Sequence, residues 1–211
     1  AQRNVPERAV RCLLEDRSGA VWAGTSGGGL VRIEGETATS VTTREGLPSD
    51  EVSSLLEDPD GTLWIATSRG LARRLPDGRI EAAALPGARS ERLRGLCRGH
   101  DGSLWVGSDL GVVRLKEGAG RPVLSADGLA SERIHTLAAD RDGNVWAATA
   151  AGLCRLGASV SCLAGIGPIS PAPAFPILED DAGDLWFGTA GGGLHRLSDS
   201  AFRVFGRQER L

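Results

Sequence analysis

The sequence predicts an all-β fold, a β-propeller of five four-stranded antiparallel blades, from a regular spacing of tryptophan and the pattern around it. The chain has 211 residues and five tryptophans, which follow one another at intervals of 42, 41, 41 and 40 residues. They are Trp22, Trp64, Trp105, Trp146 and Trp186. A period of about 40 residues is typical of propeller blades. No helical 3.6-residue period accompanies it, so a helical solenoid is disfavoured.

The first strand of each unit is an apolar run that ends in a turn. We expect these strands at residues 10–14, 52–56, 93–97, 134–138 and 174–178. In four units an Asp–x–x–Gly sequence follows, at Asp16, Asp58, Asp140 and Asp180, whereas the third unit has Gly99 in place of the aspartate. Asp and Gly at this spacing are turn residues. A calcium loop would need about six to eight oxygen ligands, so we interpret the motif as a turn.

The second strand carries the tryptophan. The residue two positions after it is always small: Gly24, Ala66, Gly107, Ala148 or Gly188. The residues directly before and after it are apolar. Since alternate residues of a strand face opposite sides, both faces of this strand must be covered. We expect the small residue to leave room for a neighbouring blade, which makes the tryptophans packing residues rather than ligand contacts.

The third and fourth strands complete each unit. The third begins near a glycine and carries a recurring arginine: Arg32, Arg73, Arg114, Arg155 or Arg196. The fourth is polar and variable, for example at residues 38–42 and 201–205, as an outer edge strand should be.

The full repeat, strand–Leu-Glu-Asp–x-x-Gly–x-Leu-Trp–x-Gly-Thr–x-x-Gly-Leu–x-Arg-Leu, resembles the two-component regulator propeller repeat. The segment Glu45-Gly46-Leu47-Pro48, which leads into the second unit, is similar to that family too. The resemblance covers five copies in register. It implies the periplasmic sensor region of a bacterial membrane-bound histidine kinase, hybrid regulator or diguanylate cyclase, in which propellers often have seven blades.

We predict one propeller domain over residues 1–211, with repeats at about 5–46, 47–87, 88–128, 129–169 and 170–211. The alternative is a five-blade excerpt of a larger, seven-bladed propeller. Triple-glycine loops at 27–29 and 191–193 occur only in the first and fifth units, which favours closure of a five-bladed ring. The chain starts with Ala1 rather than Met, and we interpret it as a processed or excised piece.

The net charge and the composition limit the classes of partner that this chain is expected to bind. The net charge of −3 gives no broad attraction for nucleic acid. No apolar run approaches the roughly 20 residues of a membrane helix, so we expect no membrane contact by this segment itself. We expect no cofactor. Self-association through the blade ends or through receptor dimerisation is expected, because an uncovered blade face is a large apolar patch.

The four cysteines lack the CxxC spacing of zinc and haem sites. Cys154 and Cys162 fall opposite each other on adjacent predicted strands, within reach of a disulfide, and we predict that they form one. Cys12 and Cys97 are expected to be buried free thiols. The histidines, His100, His135 and His195, occupy three different positions of the repeat, so we predict no metal site.

The candidate ligand site lies where each first strand begins. Eleven residues before the tryptophan stand Arg11, Ser53, Arg94 and His135, with Phe175 in the fifth unit, and thirteen residues before it stand Glu51, Arg92 and Arg133. Variable polar residues on a regular scaffold suit recognition at the mouth of a central channel. The arginines could hold carboxylates or sugar acids in a bidentate manner. The alternative is ordinary solvated loop polarity.

Three functions follow from these patterns. The first is a non-catalytic sensor module that binds a small molecule or glycan fragment in the periplasm or another extracytoplasmic compartment. The second is an enzyme like virginiamycin B lyase, which has similar repeats but uses a catalytic histidine that no residue here matches. The third is a structural propeller for protein interactions, for which a cytoplasmic location would also serve. We predict no catalytic residues.

Overall fold

The structure, a computed structural model, describes residues 9–89, 91–163, 174–189, 193–198 and 201–205, and its fold is all-β. These residues form five four-stranded sheets, and in each sheet the strands are neighbours in chain order. The predicted blades are therefore confirmed. Within the described ranges no helix is long and apolar enough to cross a membrane. The loop of Gly191 and Gly192 lies outside the described residues.

The twenty strands are numbered β1 to β20 in chain order, four to a blade. The first two blades contain β1 Val10–Glu15, β2 Val21–Thr25, β3 Leu30–Glu34, β4 Thr37–Val41, β5 Val52–Glu57, β6 Leu63–Thr67, β7 Gly70–Arg74 and β8 Ile80–Ala83. The third and fourth contain β9 Leu93–Arg98, β10 Leu104–Ser108, β11 Gly111–Lys116, β12 Ala119–Val123, β13 Ile134–Ala139, β14 Val145–Thr149, β15 Gly152–Leu156 and β16 Ser161–Cys162. The fifth contains β17 Ala174–Glu179, β18 Leu185–Thr189, β19 Gly193–Ser198 and β20 Ala201–Phe205.

The chain divides into two compact units. The first unit consists of residues 1–85 and 90–96, and the second of residues 86–89 and 97–211. The assignment of the whole chain to one domain with five repeats stays a prediction.

In the first unit, the second blade packs on the face of the first blade that carries its tryptophan. Trp22 and Leu30 of the first blade form one apolar cluster with Val52 and Leu55 of the second. A methyl group on Gly24 would lie 2.7 Å from Val52 Cγ1, which is too close for two carbon atoms. This confirms that the small residue after the tryptophan makes room for the next blade.

The second unit repeats this arrangement. Trp105 of the third blade shares a cluster with Ile134 and Leu137 of the fourth blade. A methyl group on Gly107 would lie 2.6 Å from Ile134 Cγ2. A further cluster joins Trp146 to Phe187 of the fifth blade. Trp22, Trp105 and Trp146 thus sit between blades and are buried, while Trp64 and Trp186 are half-buried.

Each turn aspartate binds the tryptophan of its own blade. The indole Nε1–H groups of Trp22, Trp64, Trp146 and Trp186 donate to the carboxylates six residues earlier, at 2.7, 2.8, 2.7 and 2.7 Å respectively. The same carboxylates cap the turns; Asp140, for example, accepts the backbone N–H of Asn144 at 2.7 Å. The motif is therefore a turn, as predicted, and it also anchors the largest side chain of the blade.

The recurring arginine of the third strand lies directly across the sheet from the tryptophan. Arg32 pairs with Trp22, Arg114 with Trp105 and Arg196 with Trp186 in the strand register. Their guanidinium groups lie 5.6, 5.4 and 5.7 Å from the respective ring centroids, within the range of cation–π attraction. In these three blades the recurring arginine thus packs over the indole ring of the tryptophan.

Candidate functional site

A β-bulge marks the start of the first strand in several blades. The register between first and second strands shifts between Val10 and Cys12, between Val52 and Ser54, and between Ile134 and Thr136. The residues left over by these shifts are Arg11, Ser53 and His135. Bulges redirect side chains and are enriched beside functional sites. Three residues predicted eleven positions before the tryptophan are therefore bulge residues.

In the first unit these positions surround a small cavity, which we name the bulge pocket. Its volume is about 110 Å³. It is lined by Arg11, Glu51, Val52, Ser53, Ser68, Arg92, Leu93 and Arg94. The structure thus brings together five of the seven predicted ligand-binding residues: Arg11, Glu51, Ser53, Arg92 and Arg94. Ser68, in the loop after β6, was not singled out by sequence.

The lining of the bulge pocket is mainly basic. Three guanidinium groups and one carboxylate line it, together with the buried residues Val52 and Leu93. Arg11 and Arg92 are exposed and Arg94 is half-buried. Small-molecule sites usually measure about 300–1,000 Å³, so a cavity of this size accepts one charged group and leaves the remainder of a ligand outside.

Ser53 shapes the pocket and does not present a free hydroxyl to it. Its Oγ lies 2.8 Å from the carbonyl oxygen of Leu93 and 3.2 Å from that of Ala66, so its single proton is used within the protein. Ser68, which also lines the pocket, has its hydroxyl oxygen 2.8 Å from that of Ser49. These bonds hold neighbouring strands at a fixed separation and thereby fix the positions of the arginines.

The two remaining predicted residues, Arg133 and His135, lie in the second unit. Arg133 is exposed and its backbone N–H donates to Ser131 Oγ at 3.2 Å. His135 is half-buried at the bulge of β13. Neither lines the bulge pocket. Across the described part of the chain, no three His, Cys, Asp or Glu side chains are grouped so that they could hold a metal ion.

Comparison with known families identifies the repeat. The family described as "two component regulator propeller" matches residues 4–27, 46–69 and 128–151. Each matched segment begins six residues before a first strand and runs through the Asp–Gly turn to the loop after the tryptophan strand. The chain carries two component regulator propeller repeats. No curated protein sequence matches it.

Solved structures share the fold of these propeller repeats. The extracellular domain of a proposed hybrid two component system from B. thetaiotaomicron superposes with a TM-score of 0.86 at 20% identity, over 99% of this chain and 30% of that one. The extracellular domain of a proposed one component system from the same organism superposes with a TM-score of 0.80 at 21% sequence identity. The match covers 95% of this chain and 31% of that one. Virginiamycin B lyase from Staphylococcus aureus, solved with quinupristin, superposes with a TM-score of 0.79 at 16% sequence identity. The match covers 96% of this chain and 72% of that one. The chain thus spans about a third of the first two.

The fourth propeller repeat contains a disulfide. Cys154 and Cys162 are opposite each other on β15 and β16, and their sulfur atoms are 1.97 Å apart. The two other cysteines are free: Cys97 is buried, whereas Cys12 is only half-buried, which corrects the expectation for that residue. Burial raises the pKa of the Cys12 thiol to about 11 and that of Cys97 to about 12. Both therefore stay protonated and unreactive near neutral pH.

Turn residues also link successive propeller repeats, which sequence reasoning missed. The backbone N–H of Arg17 donates to Glu57 Oε2 at 3.1 Å, and that of Arg141 donates to Glu179 Oε2 at 2.8 Å. The Arg141 side chain also pairs with Glu179 at 2.7 Å. In each case a residue just after the turn aspartate reaches the next blade. The only signal in the sequence is the shared position of the two arginines, five residues before the tryptophan.

A second cavity, of about 540 Å³, lies at the other ends of the strands in the first unit, beside the turns of the first two repeats. Trp22 forms one wall, with the guanidinium groups of Arg32 and Arg74 at 5.6 and 5.1 Å from its ring. Arg74 stands where the other repeats have Ile33, Leu115, Leu156 and Leu197. That exchange of an apolar residue for arginine is the sequence signal for this cavity.

His195 is fully buried in the fifth blade, where the first blade has Val31. Its ring stacks on Phe187 with 5.0 Å between centroids, and its Nε2 lies 3.0 Å from Thr189 Oγ1. Burial lowers the pKa of His195, so its imidazole is neutral at neutral pH. This environment is that of a core residue.

Proposed function

We propose that this chain is a non-catalytic, ligand-binding part of the sensor region of a bacterial signalling receptor. In this proposal the bulge pocket of the first unit holds the carboxylate of a small molecule or glycan fragment, such as a sugar acid. The ligand is bound and released unchanged. The single observation that carries the proposal is the grouping of Arg11, Arg92 and Arg94 around one small cavity.

The chemistry of the pocket favours a carboxylate over a neutral sugar. Arginine presents several N–H donors in a planar fork that matches the two oxygens of a carboxylate. Each guanidinium has more donors than one partner needs, so existing contacts leave capacity for a ligand. Glu51 is the only carboxylate among the lining residues. The lining therefore carries an excess of positive charge, in a chain whose net charge is −3.

Two observations support an extracytoplasmic location for this function. The disulfide between Cys154 and Cys162 is a bond that forms and persists in oxidising compartments. Two of the similar structures are extracellular domains of proposed signalling systems. In this proposal, occupation of the pocket is reported to output domains elsewhere in the receptor, whose dimerisation would bring two such sensor regions together.

The proposal is tested by thermal unfolding of the chain with galacturonate, trigalacturonate or galactose. A ligand that binds only the native state at 100 times its Kd adds about 2.7 kcal/mol to the free energy of unfolding. For a chain of this size that raises Tm by roughly 5–10 °C. We expect a rise with the two acids and none with galactose, which differs from galacturonate by lacking the carboxylate.

Matched variants locate the effect. Arg94→Gln and Arg11→Gln leave a polar side chain but remove the charge and the guanidinium fork, and each should abolish most of the rise. Arg79→Gln is the control, because Arg79 is a surface arginine of the same unit with a side chain 69% exposed. A Tm that responds equally to galactose, or that responds to galacturonate in both pocket variants, would contradict the proposal.

A further inference from the structure

The larger cavity of the first unit, which we name the turn cavity, is lined by residues of the first and second blades. Its lining includes Trp22, Arg32, Glu57, Pro59, Arg74 and Pro76. Its volume of about 540 Å³ falls in the usual range for small-molecule sites, about 300–1,000 Å³. All of its lining residues belong to the first unit, and none of them lines the bulge pocket. The turn cavity is therefore a separate candidate site.

Arg74 brings a positive charge to a position that is apolar in the other four repeats. Its counterpart in the fourth repeat, Leu156, is 3% exposed and belongs to an apolar core cluster. The Arg74 guanidinium lies 5.1 Å from the Trp22 ring centroid, and among the described residues it makes no hydrogen bond and no ion pair. The exposed Asp77 attracts it only at longer range. The N–H donors of Arg74 are therefore available to a ligand.

Glu57, in the same cavity, lacks the ion pair that its counterpart makes. In the fifth blade the equivalent residue, Glu179, pairs with the Arg141 side chain at 2.7 Å. In the first unit, the Arg17 guanidinium donates instead to the carbonyl oxygen of Pro59. Glu57 accepts only the backbone N–H of Arg17, at 3.1 Å from Oε2, and no cation pairs with it among the described residues. Its Oε1 is thus available as an acceptor.

The other charged side chains that line the turn cavity already have partners. Asp16 accepts the indole N–H of the tryptophan in its own blade at 2.7 Å. Asp60 accepts the backbone N–H of Thr62 at 2.9 Å, and Arg32 pairs with Glu34 at 2.5 Å. In all, three guanidinium groups and three carboxylates line the cavity, so their charges balance. Such a lining gives little overall attraction to a ligand with a net charge of either sign.

We propose that the turn cavity binds a zwitterion, an amino acid or short peptide with an apolar side chain. The ligand carboxylate pairs with Arg74, whose planar fork of N–H donors matches its two oxygens. The ligand ammonium group pairs with Glu57. The apolar side chain packs against Pro59 and Pro76, which line the same cavity. The ligand thus supplies the two partners that Arg74 and Glu57 lack among the described residues.

The test is isothermal titration calorimetry of the full chain at neutral pH with L-phenylalanine and with glycyl-L-phenylalanine. Blocked forms remove one charge at a time: N-acetyl-L-phenylalanine lacks the ammonium group, and L-phenylalaninamide lacks the carboxylate. The dipeptide is blocked in the same two ways. We expect at least one of the two zwitterions to bind, which also distinguishes a free amino acid from a peptide. Each blocked form should bind at least about tenfold more weakly, because it loses a hydrogen bond between charged groups.

Two variants locate the ligand in the turn cavity. Arg74→Leu introduces the residue that the third, fourth and fifth repeats carry at this position, so the variant should fold. Glu57→Gln removes the negative charge and keeps an oxygen that can accept the Arg17 backbone N–H. Each variant should weaken binding of the zwitterion at least about tenfold. Circular dichroism of both variants checks that the fold is kept.

Arg73→Gln is the matched control, because Arg73 is an exposed neighbour that pairs with Glu81 at 3.0 Å and does not line the cavity. It should leave the Kd unchanged. Saturating galacturonate should leave it unchanged too, which separates this site from the proposed function of the bulge pocket. The proposal is overturned if neither zwitterion binds, if the blocked forms bind as tightly as their parents, or if Arg74→Leu and Glu57→Gln both keep the wild-type affinity.

Discussion

Removal of the Asp140 carboxylate should be among the most costly single changes in the second unit. Asp140 is 6% exposed and Trp146 is 7% exposed, so the bond between them is shielded from water. The carboxylate accepts Trp146 Nε1–H at 2.7 Å, the backbone N–H of Asn144 at 2.7 Å and the Asn144 side-chain amide at 2.8 Å. In Asp140→Ala the indole N–H keeps its buried position and loses its acceptor.

The magnitude follows from the kinds of bond that are lost. A hydrogen bond to a charged group contributes about 1.5–3 kcal/mol, and a buried donor left without a partner costs about 1–3 kcal/mol. Asn144 is half-buried and can regain water, so its two bonds are largely replaced. We therefore expect Asp140→Ala to lower the free energy of unfolding by about 3 kcal/mol. For a chain of this size that lowers Tm by roughly 6–12 °C.

Denaturant and thermal unfolding followed by circular dichroism measure this loss without relying on tryptophan fluorescence. Asp142→Ala is the matched control, because Asp142 is an exposed aspartate of the same turn and its removal changes the charge equally. We expect that control to alter stability by less than about 0.5 kcal/mol. Equal effects of the two variants would refute the reasoning, since charge rather than the buried bond would then account for the loss.

Three other predictions concern packing, protonation and the disulfide. Gly107→Ala should cost about 1–3 kcal/mol through overpacking against the next blade, whereas Gly188→Ala, which meets no described atom within 4 Å, should be nearly neutral; equal costs would contradict the stacking. Burial lowers the pKa of His195 below its ordinary 6.5, so as the pH falls the unfolded chain binds a proton on this residue before the folded chain does. The free energy of unfolding should therefore decrease as the pH drops below 6.5. In His195→Val, unfolding titrations at several pH values should no longer show this contribution to the decrease. Reduction of the Cys154–Cys162 bond should cost about 2 kcal/mol, measured with and without reductant; two free thiols in peptide mass spectra of unreduced protein would exclude the bond.

The blades could be predicted from the sequence because each depends on local patterns that recur. The Trp period, the glycine three residues before it and the small residue after it all describe contacts within a strand or between adjacent blades. The Asp–Trp bond was missed for a geometric reason. A separation of six residues does not reveal that the turn folds the carboxylate back onto the ring, as it does from Asp140 to Trp146.

The candidate site was predictable in position but not in detail. Variable residues eleven positions before the tryptophan pointed to Arg11, Ser53 and Arg94, and the structure groups them at one pocket. The orientation of the Ser53 hydroxyl toward backbone carbonyls could not be predicted, because it depends on the distance between neighbouring blades. Arg133 and His135 carry the same pattern in the second unit without lining that pocket. Sequence position alone thus does not determine which equivalent residues share a cavity.

The most direct test of the central claim is a crystal structure of the chain grown with galacturonate at saturating concentration. The account predicts the carboxylate in the bulge pocket, with oxygens about 2.7–2.9 Å from guanidinium nitrogens of Arg11, Arg92 or Arg94. Galacturonate bound at another surface, or a bulge pocket without it in crystals that diffract well enough to show it, would contradict the account.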